Sequence, residues 1–175
     1  MVFPVARFTG CFPELFGFVL LDPARLDHAL GGNTEGTNLL DVFTTTEQGD
    51  RVAHDGIAIP VMGVDAGDYT VLVRHASDRS PWTTPQLSSP GWVLGTETGS
   101  LLLCGAGHLT AWAPDHPEHR HVAVPPGWYE VEIRGHLLAQ GPDDAAYEFI
   151  LTSTVTPPAF HADLDQQFGL VNHEH

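Results

Sequence analysis

The chain has 175 residues, 42% of them hydrophobic, so it can bury a sizeable core and is too apolar to be disordered throughout. Seven arginines and no lysine stand against 22 aspartates and glutamates, which gives a formal net charge of -15. A field of that sign repels phosphate backbones and anionic lipid, so nucleic acids and membrane surfaces are poor partners. A basic protein or a cation is favoured instead.

The first predicted strand covers residues 14–21, and its apolar part is far too short to span a bilayer. The residues before it contain no long apolar stretch that leads to a small-residue cleavage site, so we expect a cytoplasmic protein. Cys11 and Cys104 have no closely spaced partner, which excludes a disulfide framework. One bridge between them stays open, beside two reduced cysteines packed in the core.

The next segment, residues 22–30, predicts a short helix. Asp22 can cap its first turn, Pro23 suits the first helical position and Gly31 provides a stop. Residues 160–168 can form one or two further helical turns. Neither segment is long enough to organise the fold, so we expect short helices at most.

Strands are predicted for most of the remaining chain. Apolar or alternating patterns occur at residues 39–45, 100–104, 108–112 and 147–154, separated by clusters of glycine, proline, asparagine and aspartate. This pattern predicts a single all-β domain over residues 1–175. Its architecture would be an antiparallel β-sandwich, or a barrel-like sheet.

Two parts of the chain repeat one pattern. Residues 56–60 end in proline and are followed by a Gly-x-Tyr at 67–69; residues 121–125 also end in proline and are followed by a Gly-x-Tyr at 127–129. We therefore predict an internal duplication of roughly residues 34–76 and 96–136. The joint between the halves, residues 77–91, is rich in proline and is either a linker or a binding loop that carries Trp82.

The strand after residue 127 has a period of two. Tyr129, Val131 and Ile133 share one face and are predicted to lie in the core. Glu130 and Glu132 share the other face, so we expect both carboxylates to lie at the surface, where a partner can reach them.

Histidines are concentrated in residues 115–121. If a strand begins here, His119 and His121 lie on one face and can chelate one ion, with His116 and a neighbouring carboxylate completing the shell. Imidazole ligands suit zinc or another divalent transition metal. The alternative is a solvated, histidine-rich hairpin loop in a protein with no cofactor.

The same segment resembles part of a cupin, whose first motif opens with His-x-His and whose second contains Pro-x-Gly, here residues 125–127. It departs from the cupin pattern in two places. Pro125 and Pro126 stand where a glutamate belongs, and residues 128–130 lack the histidine that should follow. The resemblance implies a metal-binding protein or enzyme as the alternative function.

Other chemical signals are weak. The chain contains no P-loop, nucleophile elbow, dinucleotide-binding glycine motif or His-Glu-x-x-His. Cys104 is expected to be a packed strand residue rather than a nucleophile. The aspartates of residues 143–144 and 163–165 are expected in turns, and the terminal His-x-His of residues 173–175 to hold metal loosely at most. We therefore expect no catalytic residue.

Residues 122–131, which read Val-Ala-Val-Pro-Pro-Gly-Trp-Tyr-Glu-Val, resemble the competence-protein-J type of domain. The likeness covers a strand, a proline, a glycine, a tyrosine and the following strand, while the Val-Pro-Phe strand of that family is missing here. Members are small bacterial β-sandwich proteins, one of which inhibits a partner nuclease, and relatives occur among toxin-immunity proteins. The resemblance implies an acidic inhibitor or immunity-type protein.

These observations predict a non-enzymatic protein-binding module whose partner is a basic protein such as a nuclease. Glu130 and Glu132 would supply the acidic face, and Trp82 would act as an aromatic anchor. A structural or storage role is a third reading. The sequence does not indicate the oligomeric state.

Overall fold

The computed structural model describes residues 3–137 and 145–170. Within these ranges, three α-helices and two 3₁₀ turns accompany the strands; the helices are α1 (Pro23–Ala29), α2 (Leu39–Thr45) and α3 (Glu47–His54), and the 3₁₀ turns are Glu14–Phe16 and Ala106–Ala111. The strands in chain order are β1 (Ala6–Cys11), β2 (Gly17–Leu21), β3 (Ala58–Met62), β4 (Tyr69–His75), β5 (Leu87–Thr96), β6 (Ser100–Gly105), β7 (Arg120–Ala123), β8 (Gly127–Leu137) and β9 (Ala145–Thr154).

The strands form two sheets. One has five strands in the order β1-β4-β9-β8-β5, and the other has four in the order β3-β2-β6-β7. Neighbouring strands among the described residues run antiparallel except β4 and β9, which are parallel. The protein is therefore mostly β, as predicted. Both sheets end in edge strands, so the barrel-like alternative is wrong.

A shared hydrophobic cluster contains side chains from both sheets. Phe18 and Leu103 contribute from the four-stranded sheet, and Val71, Ile133 and Phe149 from the five-stranded sheet. A second cluster lies on the opposite face of the four-stranded sheet, where the helices pack; it includes Val19, Leu21, Leu26, Leu39, Val52 and Leu102. Strand β2 is buried along its whole length, which explains its continuous apolar sequence. The helical layer is the part of the fold that an all-β prediction leaves out.

Two predicted strands are wrong. Residues 39–45 form helix α2, because the Asn38 side chain accepts a hydrogen bond from the Asp41 amide at 3.0 Å and caps the first turn. Residues 108–112 lie mostly in a 3₁₀ turn that buries Leu109, with Trp112 buried directly after it. Short apolar runs suit either period, and here packing against the four-stranded sheet decided between them. Helix α3 was not predicted.

The predicted helix at residues 22–30 is confirmed as α1, and its cap does more than start a helix. Asp22 is fully buried, and one carboxylate oxygen accepts from the Ala24 amide at 2.9 Å. The other accepts from the hydroxyl of Thr96 at 2.7 Å and from the amides of Glu97 and Thr98. A single carboxylate therefore ties the start of α1 to the β5–β6 turn. No helix forms at residues 160–168, where only residues 164–165 make a hydrogen-bonded turn; Phe168 packs in the core from a segment outside the helices and strands.

The strand order is symmetric about β9. Strands β1 and β4 lie on one side and β5 and β8 on the other, while β2-β3 and β6-β7 form the two halves of the smaller sheet. The hydroxyls of Tyr69 and Tyr129 each donate to a carbonyl four residues upstream, at 2.7 Å and 2.5 Å. This arrangement suits a duplicated chain, and the duplication itself stays a prediction.

The proline-rich joint is shorter than predicted, because Leu87 already begins β5. Pro90 lies inside this strand at a register shift between Ser89 and Trp92. A proline is tolerated there because β5 is an edge strand and the bulge removes the need for its missing N–H.

None of the helices in the described part of the chain has the length and apolar character needed to cross a bilayer.

Replacing Asp22 with asparagine is expected to lower the free energy of unfolding by about 3 kcal/mol, because an amide NH2 would then face buried donors that now bond a carboxylate. Urea unfolding followed by circular dichroism measures the change. Glu35→Gln, at an exposed position, is the matched control and should change stability by less than about 0.5 kcal/mol. Equal effects of the two substitutions would contradict this role.

Candidate functional site

The outer face of β8 carries the predicted partner-binding carboxylates. Tyr129, Val131 and Ile133 are buried, whereas Glu130 and Glu132 on the opposite face are partly exposed, so the predicted alternation is confirmed. Glu132 is already engaged: it pairs with Arg134 at 2.9 Å and accepts from the Ser88 hydroxyl at 2.7 Å. The carboxylate of Glu130 faces the His161 ring at 3.5 Å. Arg134 therefore compensates the charge of Glu132 locally.

Trp82 lies on the same outer face of the sheet and is half-buried. Its ring packs on the ring of His136, with centroids 4.9 Å apart, and the Arg7 guanidinium lies 5.9 Å from its centroid. His136 and the two glutamates occupy alternate positions of β8, so all of these side chains follow one stripe. Packing thus holds Trp82 in a defined position at one end of that stripe.

Beneath Trp82 lies a buried charge network that the sequence reasoning missed. The fully buried carboxylate of Glu148 accepts from Arg74 Nε at 2.8 Å, from the Ser80 hydroxyl at 2.9 Å and from His136 Nε2 at 2.5 Å. Burial alone raises the pKa of Glu148, but the hydrogen bonds from His136, Arg74 and Ser80 outweigh it and hold the pKa at about 2. The signal in the sequence was a lone glutamate in an otherwise apolar stretch of β9.

The turn that joins β1 to β2 exposes large apolar side chains. We call Phe12, Leu15 and Phe16 the apolar turn; their relative exposures are 50%, 52% and 60%. Leu15 and Phe16 both have positive φ, +52° and +60°, which L-residues other than glycine rarely adopt. Such strain persists only where the surrounding structure imposes it, and it often marks a functional site. Residues 14–16 form a 3₁₀ turn, so the strand predicted for residues 14–21 is confirmed only over Gly17–Leu21.

The histidine cluster has a different membership from the predicted one. His108, His116 and His119 each offer a nitrogen, and these three atoms lie within 4.8 Å of one another. His121 does not join them: it is exposed in β7, whereas His119 precedes that strand and is buried. The strand alternation that was expected to put His119 and His121 on one face begins only at Arg120, so these two histidines share no ligand group among the described residues. His108 was missed because it is distant in sequence.

His119 is held firmly. Its Nε2 donates to the Ala113 carbonyl at 2.8 Å, and its ring stacks on Trp112 with centroids 5.6 Å apart. Burial lowers the pKa of His119, the hydrogen bond to Ala113 opposes that shift, and the nearby histidines add to it. Its Nδ1 has no hydrogen-bond partner among the described residues.

Two carboxylates face His108. Its Nε2 lies 2.5 Å from Glu14 and 3.3 Å from Glu118. Glu14 belongs to the same 3₁₀ turn as Leu15 and Phe16, so the cluster and the apolar turn adjoin in the chain.

A cleft of about 410 Å³ opens beside this cluster and is lined in part by Cys11 and Cys104. Both cysteines are buried and free. Burial raises the pKa of the Cys104 thiol to about 12, so it is protonated near neutrality and unsuited to act as a nucleophile.

The remaining candidates carry little chemistry. Asp163 accepts from the Asp165 amide at 2.9 Å, which is the expected turn contact. The pairs at residues 143–144 and 173–175 lie outside the described residues. A larger cleft of about 570 Å³ is lined by Arg25 and Trp128 among others, and Arg25 there stacks on Trp128 and donates to the Asp55 carbonyl at 2.6 Å, so it supports the fold.

No model of a known protein family and no curated protein sequence matches the chain. The chain is similar to solved structures. ComJ of Bacillus subtilis, an inhibitor of the DNA-degrading activity of NucA, has a TM-score of 0.51 at 9% identity; the match covers 88% of this chain and 98% of ComJ. The crocagin biosynthetic gene J product has a TM-score of 0.46 at 14% identity, over 83% and 94% of the two chains. The predicted resemblance to the competence-protein-J type of protein is confirmed for the fold.

We expect Glu148→Gln to lower the free energy of unfolding at pH 7 by about 3 kcal/mol, because it leaves the buried Arg74 without its counter-charge. The folded-state pKa of about 2 lies below the ordinary value of 4.5, so the carboxylate stabilises fully above that value and loses its effect as the pH falls toward 2. The free energy of unfolding of the wild type should therefore fall as the pH is lowered from 4.5 toward 2, and that of the variant should change less over the same range. Urea unfolding at pH 7 and pH 3 measures both.

The matched control is Glu132→Gln on the same face, where the carboxylate is partly exposed and should matter by less than about 1 kcal/mol. A Glu148→Gln variant with the wild-type profile would contradict the role of the network.

Proposed function

We propose that this protein is a non-enzymatic protein-binding module of the inhibitor type, whose partner is a basic protein such as a DNA-degrading nuclease. Support for this class comes from the fold shared with ComJ, which inhibits such an activity. Because fold alone does not determine function, the proposal depends on what the surface of this chain can bind.

The apolar turn is the observation that carries the proposal. Phe12, Leu15 and Phe16 expose about half or more of their side chains within five residues, on a backbone held in a strained conformation. Single exposed apolar residues are ordinary, but a contiguous group with aromatic members is typical of binding surfaces. Aromatic side chains that enter a partner's pocket supply much of the affinity of many interfaces.

Because the net charge of the protein is -15, a positively charged partner is favoured. Long-range attraction raises the rate at which an oppositely charged protein is met, and it adds less to the lifetime of the complex. Glu130, whose side chain is 46% exposed, contributes to this field more freely than Glu132, which is paired with Arg134. Trp82 stays a proposed contact at the edge of the acidic stripe. An immunity-type role would use the same surfaces.

The first test adds the purified protein to an extract of the source cells and follows the degradation of fluorescent duplex DNA. We expect degradation to stop at a stoichiometric amount of protein. Replacing Phe12 and Phe16 with serine should weaken inhibition at least thirtyfold, since the loss of even one buried aromatic anchor costs about 2 kcal/mol or more. Val155→Ser, at a fully exposed position, is the control and should inhibit like the wild type.

The outcomes separate the parts of this proposal. Unchanged degradation at a large excess of protein would exclude a nuclease as the partner. Inhibition that survives loss of both phenylalanines but disappears in Trp82→Ala would move the contact surface to the outer face of β8.

A second test concerns charge. Against the purified nuclease, Glu130→Gln combined with Glu132→Gln should lower the association rate several-fold at low salt and leave the dissociation rate almost unchanged. The difference should vanish above about 0.5 M salt, where screening acts over a few ångströms. Stopped-flow fluorescence at several salt concentrations measures this. An association rate of the wild type that does not depend on salt would contradict electrostatic steering.

A further inference from the structure

The cluster of His108, His116 and His119 has the composition of a metal site. The ring centroids lie 4.5 Å apart for His108 and His116, and 5.3 Å apart for each of the other two pairs. One nitrogen from each ring lies within 4.8 Å of the others. Ligand nitrogens around a tetrahedral zinc ion are about 3.3 Å apart, so small side-chain rotations close the remaining distance.

His119 is prepared for ligation by its surroundings. A carbonyl can only accept, so the hydrogen bond from Nε2 to the Ala113 carbonyl places the proton on Nε2 and leaves a lone pair on Nδ1. That Nδ1 is buried and has no partner among the described residues, in a side chain that is only 5% exposed. Histidines that bind metals commonly donate their second nitrogen to a carbonyl in this way.

An unpartnered buried nitrogen does not by itself indicate a metal site. His136 Nδ1 is also buried and unpartnered, but within the described residues no group of metal-ligating side chains includes His136. At His119, by contrast, two further imidazoles converge, and the Glu14 carboxylate reaches His108 Nε2 at 2.5 Å. That negatively charged carboxylate adjoins the three imidazoles through His108. Glu118, at 3.3 Å, belongs to the second ligand group of the site, together with Glu14 and His108.

We propose that His108, His116 and His119, with Glu14 as the fourth ligand, bind one divalent transition-metal ion. The ligand set of three imidazoles and one carboxylate suits zinc best, with cobalt as its spectroscopic substitute. The site joins the turn at Glu14 to the segment before β7, and it does not depend on the protein-binding function.

The test titrates Co²⁺ and then Zn²⁺ into the untagged full-length protein. Co²⁺ should produce the intense visible absorption of a tetrahedral site, which one equivalent of Zn²⁺ removes. Zn²⁺ should also raise the melting temperature, because it binds the folded state. Competition with a chromophoric chelator gives the dissociation constant.

His108→Ala is the main variant, since this residue is only partly buried and takes part in both ligand groups. It should weaken zinc binding at least a hundredfold, and Glu14→Gln at least tenfold. His119→Ala should act like His108→Ala; if its loss of packing on Trp112 prevents folding, the first two variants still decide the question. His121→Ala is the matched control, close in sequence but outside the cluster, and should change affinity less than twofold.

Two results would overturn the proposal. One is a wild type without a cobalt spectrum and without a zinc-dependent melting temperature. The other is a zinc affinity that survives His108→Ala and falls when His173 and His175 of the terminal segment are replaced. Either result leaves inhibition of DNA degradation untouched, so the two proposals fail separately.

Discussion

Strand β9 holds the five-stranded sheet together, because it pairs with β4 on one side and with β8 on the other. Its inward side chains Tyr147, Phe149 and Leu151 lie in the core shared with the four-stranded sheet. Its outward residue Glu148 bonds Arg74 of β4, His136 of β8 and Ser80 of the connecting loop. One buried carboxylate therefore links three elements that are distant in sequence. Burying it is favourable only because every neighbour donates to it.

That network also positions the surface above it. The loop before β5 is fixed through Ser80, and the Arg74 guanidinium donates to the Asp78 carbonyl at 2.7 Å. Trp82 then rests on His136, so the proline-rich joint packs on the sheet at this residue. An aromatic ring held in this way loses less entropy when it binds a partner.

Both proposed sites include residues of the turn between β1 and β2. Phe12, Leu15 and Phe16 face solvent, while Glu14 between them turns toward His108. The left-handed backbone at Leu15 and Phe16 is what allows neighbouring residues to point in these different directions. The same short segment thus offers apolar contact area and a metal ligand. The two properties can be separated because they use different side chains.

Local sequence patterns were sufficient to predict several elements. The alternation of residues 129–133 identified both faces of β8, and the Asp22-Pro23 pair identified the start of α1, because each signal acts within a few residues. Residues 39–45 and 108–112 were misread for the opposite reason. A short apolar run can suit a strand or a helix, and only the layer it packs against decides between them.

The sequence by itself determined the mostly β character, the acidity, the inward face of β8 and the fold type suggested by residues 122–131. Only the tertiary structure decided which charges and ligands meet. Glu148 lies 74 residues from Arg74, and Glu14 reaches His108 from a different turn, so no spacing in the sequence could reveal either contact. Strand pairing and the packing of turns bring such side chains together, since these depend on the whole core rather than on neighbouring residues.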